Sequence, residues 1–84
     1  MAYQTPEFHP AFEEYCETIF ELDEDNLEVI QARIAERMEV SRPAVSEMIK
    51  RLEAEGLVRM DGSVIVLTSE GQQIAQAVVR RHRL

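Results

Sequence analysis

A mainly α domain carrying one small β-hairpin is predicted by three features of this 84-residue sequence. Four stretches repeat apolar residues at steps of three and four, the period of an amphipathic helix. Two of those stretches are separated only by a tight bend around Val40 and Ser41. Two β-prone runs, Leu57–Met60 and Ser63–Leu67, are joined by Asp61-Gly62, a strong short-range hairpin signal with a tight primed turn. A chain of this size buries only roughly 60–65% of its unfolded surface, so one domain around one small core is the ceiling.

Residues 1–10 contain Pro6 and Pro10 with no periodicity and read as an N-terminal arm, in which His9 is a solvent-exposed residue. The domain proper then covers residues 11–84. From Ala11 to Glu24 the apolar residues Phe12, Tyr15, Cys16, Ile19, Phe20 and Leu22 mark a helix with one greasy stripe. Cys16 sits inside that stripe, so core packing is its expected role. The opposite face carries Glu13, Glu14, Glu17, Glu21 and Glu24, several of them three or four apart. Like charges at that spacing oppose the helix by ~0.2–0.5 kcal/mol per pair, and a cation would offset the repulsion. Asp23 to Asn26 ends the helix in a polar bend.

The stretch Arg33–Leu57 organises the rest. Ile34, Ala35 and Met38 are spaced to bury one face of a short helix. Val45, Met48, Ile49 and Leu52 do the same for a second, with Val40 expected to plug the joint. Ser41 is a good N-cap, Pro43 fits the first helical turn, and Gly56 supplies the left-handed position after the end. The hairpin follows and must pack on the helices, because an isolated hairpin is marginal in water. Thr68 then caps a last helix whose buried seam is Ile74, Ala75 and Val78. No stop signal follows Leu84, which reads as a helix interrupted before a further domain. Helix, helix-turn-helix and hairpin together make a winged helix-turn-helix.

Composition narrows the function classes. No apolar run reaches the ~20 residues of a membrane span, and no signal peptide opens the chain. A single cysteine forbids an internal disulfide and suits a reducing cytoplasm. Two histidines and one cysteine cannot make a zinc finger alone. No nucleophile–base pair, glycine loop or complete metal set points to an enzyme. The net charge of −7 is unevenly spread. Residues 1–30 hold nine acids and no Lys or Arg, whereas residues 31–84 hold all nine basic residues against seven acids. Charge asymmetry of this kind hints at separate jobs for the two parts, although solvated faces would also produce it.

In a helix-turn-helix the start of the second helix meets base edges of the DNA major groove. Ser41, Arg42, Pro43, Ala44, Ser46 and Glu47 lie there, off the apolar stripe. Arg42 suits a guanine edge, Glu47 a cytosine amine, and Pro43 and Ala44 thymine methyl groups. Arg33, Arg37, Lys50, Arg51 and Arg59 are candidate phosphate contacts, which position the protein without reading sequence. Ser41 and Pro43 also serve as capping chemistry, and capping leaves the helix end open to DNA. The competing reading is a winged-helix protein–protein interaction module without sequence-specific DNA binding, since the fold hosts both.

Glu14 and Glu17 stand three apart on one helix face, and His82 lies at the edge of the last helix's seam. Two carboxylates and an imidazole suit Mn2+ or Fe2+. Spacing alone equally allows solvated glutamates and a histidine that stabilises the helix dipole.

The segments Glu14–Leu22 (EYCETIFEL), Ala32–Val58 (ARIAERMEVSRPAVSEMIKRLEAEGLV), Leu67–Gly71 (LTSEG) and Val78–Leu84 (VVRRHRL) make the chain recognisable. It resembles the N-terminal domain of the diphtheria toxin repressor family, in its manganese transport regulator-like branch. The resemblance implies a dimeric, metal-activated repressor that binds an inverted-repeat operator near metal-uptake genes. It further implies metal sites between this domain and a following helical dimerisation domain. Glu14, Glu17 and His82 fall on ligand positions, with the remaining ligands beyond Leu84. The iron branch has methionine where Glu14 stands, and the manganese branch has aspartate. Ser41, Pro43, Ala44, Ser46 and Glu47 fall on DNA-contacting positions, and Arg33 and Arg51 on backbone-contacting ones. Arg42 and Glu47 depart from the iron branch's small residue and glutamine.

Overall fold

The protein's computed structural model describes residues 11–82. They form α1 (Phe12–Glu24), α2 (Gln31–Met38), α3 (Arg42–Ala54), β1 (Val58–Asp61), β2 (Val64–Leu67) and α4 (Ser69–His82). The expected arm, His9 within it, and the residues after His82 lie outside the described residues.

Each helix turns its apolar stripe to one core. Phe12, Tyr15, Cys16, Ile19 and Leu22 of α1 are buried, joined by Ile34 and Ala35 of α2 and by Val45, Ile49 and Leu52 of α3. Phe20, Met38 and Met48 are only half-buried at its edge. Thr18 is buried on α1 as well, which its polarity does not announce. Helix α1 packs chiefly on α4. The two run antiparallel, for Glu13 meets Arg81 at one end while Phe20 and Gln72 share a groove at the other. The seam of α4 differs slightly from expectation. Ala75, Val78 and Val79 are buried, whereas Ile74 stays half-buried against the core edge.

The three joints that follow α1, α2 and α3 share one closure. Asn26, Glu39 and Gly56 each take a positive φ (60°, 59° and 77°). The next N–H then reaches back five residues, Leu27 to Leu22 O, Val40 to Ala35 O and Leu57 to Leu52 O, at 3.0, 3.0 and 2.9 Å. Orphan carbonyls at the helix end are satisfied this way. Asn and Gly suit that backbone, but Glu39 adopts it at a steric cost of roughly 1–2 kcal/mol. The same closure turns Val40 outward. It is 37% exposed and does not plug the bend as its apolar character suggested.

The hairpin exists, but its turn is displaced by one residue. Val58 pairs with Leu67, Arg59 with Val66, Met60 with Ile65 and Asp61 with Val64, so Gly62-Ser63 forms the two-residue loop. Gly62 lies at φ 64° and Ser63 does not share its positive φ, the pattern of a II′ rather than an Asp-Gly I′ turn. Asp61 is therefore the last strand residue. Alternation places Val58, Ile65 and Leu67 inward and Arg59 outward. Ile65 N–H also bonds Val29 O at 2.8 Å, tying the hairpin to the segment that leads into α2.

Thr68 performs the cap expected of it and one bond more. Its hydroxyl accepts from Gly71 N–H at 3.2 Å and donates to Gly56 O at 2.6 Å. The start of α4 is thereby bonded to the turn that ends α3. Gly71 is buried beneath that turn, where a Cβ would collide with the Leu57 carbonyl.

Candidate nucleic-acid interface

Helix α3 is held by Val45, Ile49 and Leu52, positions i, i+4 and i+7, which are at most 3% exposed. Apart from half-buried Ser46 and Met48, its remaining surface faces outward. Ser41 caps the helix through its hydroxyl, which accepts from Ala44 N–H at 3.2 Å. Ser41, Arg42, Pro43, Ala44 and Glu47 are exposed at or near the N-terminal end, with Ser46 half-buried beside them. Lys50 and Arg51 continue the exposed face toward the C-terminal end, and Arg59 projects from β1 on the outer face of the hairpin. Structure thus gathers Ser41, Arg42, Pro43, Ala44, Ser46, Glu47, Lys50 and Arg51 on one helix.

Two of the expected phosphate contacts have other engagements. Arg37 on α2 lies 3.8 Å from Glu21 and 3.7 Å from Asp25, so its guanidinium is drawn to the acidic end of α1. Arg33 donates to Glu28 O at 2.9 Å and is half-buried. Both basic side chains brace the α1–α2 joint.

The acidic face of α1 is also matched along its length by the protein's own bases. Arg81 Nη2 lies 2.9 Å from Glu13 Oε1, and His82 Nδ1 lies 2.9 Å from Glu17 Oε2. Arg81 thus brings positive charge to one end of the acidic face of α1, as Arg37 does to the other. Of the three residues singled out for a metal, Glu17 and His82 meet, and Glu14 remains exposed one turn earlier. The Glu17 carboxylate is 17% exposed and the His82 ring 62%, so the pair sits where one side remains open. Among the described residues no group of three or more His, Cys, Asp or Glu side chains is gathered to hold a metal ion. A carboxylate oxygen converging with an imidazole nitrogen is nevertheless donor chemistry that suits Mn2+ or Fe2+. The described residues fit part of such a site.

Beneath that face Cys16 is fully buried, and burial followed by the Glu13 charge pushes its thiol up to about 12. It is inert core, as its place in the stripe implied. Burial, then the Glu14 charge, raises the Tyr15 phenol in the same sense. Among the described residues no helix is long and apolar enough to cross a membrane.

A capped helix-turn-helix with an exposed, basic second helix and a flanking hairpin defines the winged-helix class of DNA-binding domains. The comparisons name the family within it. Residues 7–63 match the family described as iron dependent repressor, N-terminal DNA binding domain, and the chain belongs to that family. It is 45% identical over 73 residues to the iron-dependent repressor IdeR of Mycobacterium leprae, covering 86% of this chain and 32% of that repressor. The same identity and coverage hold for the diphtheria toxin repressor of Corynebacterium glutamicum. The chain thus spans about a third of the length of these relatives. Its fold superposes on the manganese regulator SloR with a TM-score of 0.77 at 43% identity, over 90% of this chain and 36% of that one. The metal-dependent transcriptional regulator MtsR gives 0.79 at 34% identity, again over 90% and 36%.

Proposed function

We propose that this chain is the DNA-reading domain of a metal-dependent transcriptional repressor of metal-ion homeostasis genes. The repressor acts in the cytoplasm and binds an inverted-repeat operator as a homodimer, through a C-terminal domain that follows these residues. The observation that carries the reading is the exposed N-terminal end of α3, where Ser41, Pro43, Ala44 and Glu47 face outward from a helix pinned by its opposite side. In this reading Ser46 and Glu47 read base edges, and Lys50, Arg51 and Arg59 hold phosphates. IdeR is an iron-dependent repressor and SloR a manganese regulator by name, and both resemble this chain over most of its length.

Glu17 and His82, with Glu14 beside them, would hold Mn2+ or Fe2+ together with ligands from the following domain. The bound ion would supply positive charge shared between the two domains. Glu17 belongs to α1 and His82 to α4, so the pair already ties α4 to the helix against which α2 packs. Their part is to bias the angle between domains, because a ligand shifts an equilibrium only through its differential affinity for the two arrangements. In the competent arrangement two α3 helices meet half-sites one or more helical turns apart.

A DNA titration of the full-length protein with and without Mn2+ or Fe2+ tests this. Metal-dependent preference for an inverted repeat over random duplex, with a steep negative salt slope, is expected. Equal affinity for both DNAs at every metal concentration would instead make the domain a protein-interaction module.

A further inference from the structure

A cleft of about 220 Å³ opens between the start of α2, the start of α3 and the hairpin turn, lined by Ile30, Gln31, Ala32, Arg42 and Ser63. Its lining differs from that of two larger clefts. The groove beside β2, about 340 Å³, carries Asp23 and Glu28, and the cleft between α1 and α2, about 370 Å³, carries Glu36. No carboxylate lines the first cleft. It presents the Arg42 guanidinium beside a hydroxyl and an amide that can each donate or accept, on apolar walls from Ile30 and Ala32. A guanidinium in a recess without carboxylates, beside the reading helix, suits an anion.

We propose that Arg42 and Ser63, with Gln31 beside them, clamp one phosphate of the DNA backbone in this cleft. Arg42 is then a positioning residue and not a reader of a guanine edge. Its place in the fold favours this division. Arg42 is the first residue of α3 and turns toward the hairpin loop, whereas Ser46 and Glu47 lie one turn further along the outward face. Ser63 enters the cleft because the turn is Gly62-Ser63, a register that puts the hydroxyl at the loop and not within a strand. One phosphate held between wing and helix would set the register in which the rest of α3 meets bases.

This inference rests on the DNA-binding reading above and fails separately from it. Full-length protein, metal-loaded, is titrated onto its operator and onto random duplex across a range of salt. Arg42→Ala is expected to weaken both by a similar factor and to lower the salt slope by about one unit. Arg42→Lys restores most of the slope, and the loss caused by Ser63→Ala shrinks when Arg42 is already alanine. A single neutral methylphosphonate at the clamped linkage weakens the wild type and leaves Arg42→Ala unchanged. A variant that keeps its salt slope and loses only operator preference would overturn the clamp and restore Arg42 as a base reader. Unaltered binding to both DNAs would also overturn it. Absence of DNA binding by the wild type would remove the underlying reading itself.

Discussion

His82 Nδ1 lies 2.9 Å from Glu17 Oε2, across the junction of α4 and α1, 65 residues apart in sequence. Together with Arg81–Glu13 it closes the end of the α1–α4 pair remote from the hairpin. A contact whose imidazole side lies in solvent contributes less than about 1 kcal/mol to stability. Its value lies in placing an imidazole and a carboxylate together.

Glu17→Ala and His82→Ala are therefore expected to leave thermal unfolding almost unchanged and to blunt metal activation of DNA binding. Isothermal titration of Mn2+ into the full-length variants checks the second half. Wild-type metal affinity in both variants would exclude the pair as ligands. Glu14→Ala provides the companion measurement, since Glu14 is exposed one turn from the pair and would act only in the proposed shared site.

Thr68→Ala removes both the cap on Gly71 N–H and the bond to Gly56 O. A loss of about 1–2 kcal/mol is expected in urea unfolding, with Thr68→Ser recovering most of it. Equal losses for Ala and Ser would mean that the methyl group, and not the hydroxyl, holds this joint.

Gly71→Ala discriminates between propensity and packing. Alanine is favoured over glycine in a helix by up to ~1 kcal/mol. Here its Cβ would press on the Leu57 carbonyl, a backbone atom that cannot swing aside. Overpacking of that kind costs roughly 1–3 kcal/mol, so packing wins and the variant is less stable. A stabilised variant would show that α4 can shift away from the hairpin.

The Cys16 thiol gives a pH dependence whose sign follows from burial. Its folded value of about 12 exceeds the ordinary 9.0. Above pH 9 the unfolded chain loses this proton first and the folded state retains it, so stability falls as pH rises from 9 toward 12. Cys16→Ala should flatten that part of the curve, and the native thiol should react with alkylating reagents only as fast as the protein opens.

Much of this was legible because it is local. The periodicity of Phe12–Leu22, the Ser41 cap, the left-handed Gly56 and the Thr68 cap depend on residues within a turn or two of one another. The hairpin was legible in existence but not in register. Asp61-Gly62 and Gly62-Ser63 are both acceptable turns and both put Ile65 and Leu67 on one face; they differ in whether Val58 opposes Ile65 or Leu67, and the structure takes Leu67. Val40 was misjudged because nothing in the sequence announces the left-handed turn at Glu39. An apolar residue in a bend suggests a plug, but the left-handed turn at Glu39 satisfies the Ala35 carbonyl and leaves Val40 outside. Gly71 inside an apolar helical pattern was the available signal of close approach.

By itself the sequence determined four amphipathic helices, a hairpin, a capped second helix in the helix-turn-helix, and an acidic first helix separated from a basic remainder. These follow from side-chain period and backbone chemistry, which act over short distances. Tertiary structure alone decided which charges meet. It sent Arg37 to Glu21 and Asp25, Arg81 to Glu13, and His82 to Glu17, leaving Arg42 beside Ser63 at a cleft without acids. The strength of a Coulomb interaction depends on distance through space, and the antiparallel packing of α4 on α1 sets those distances.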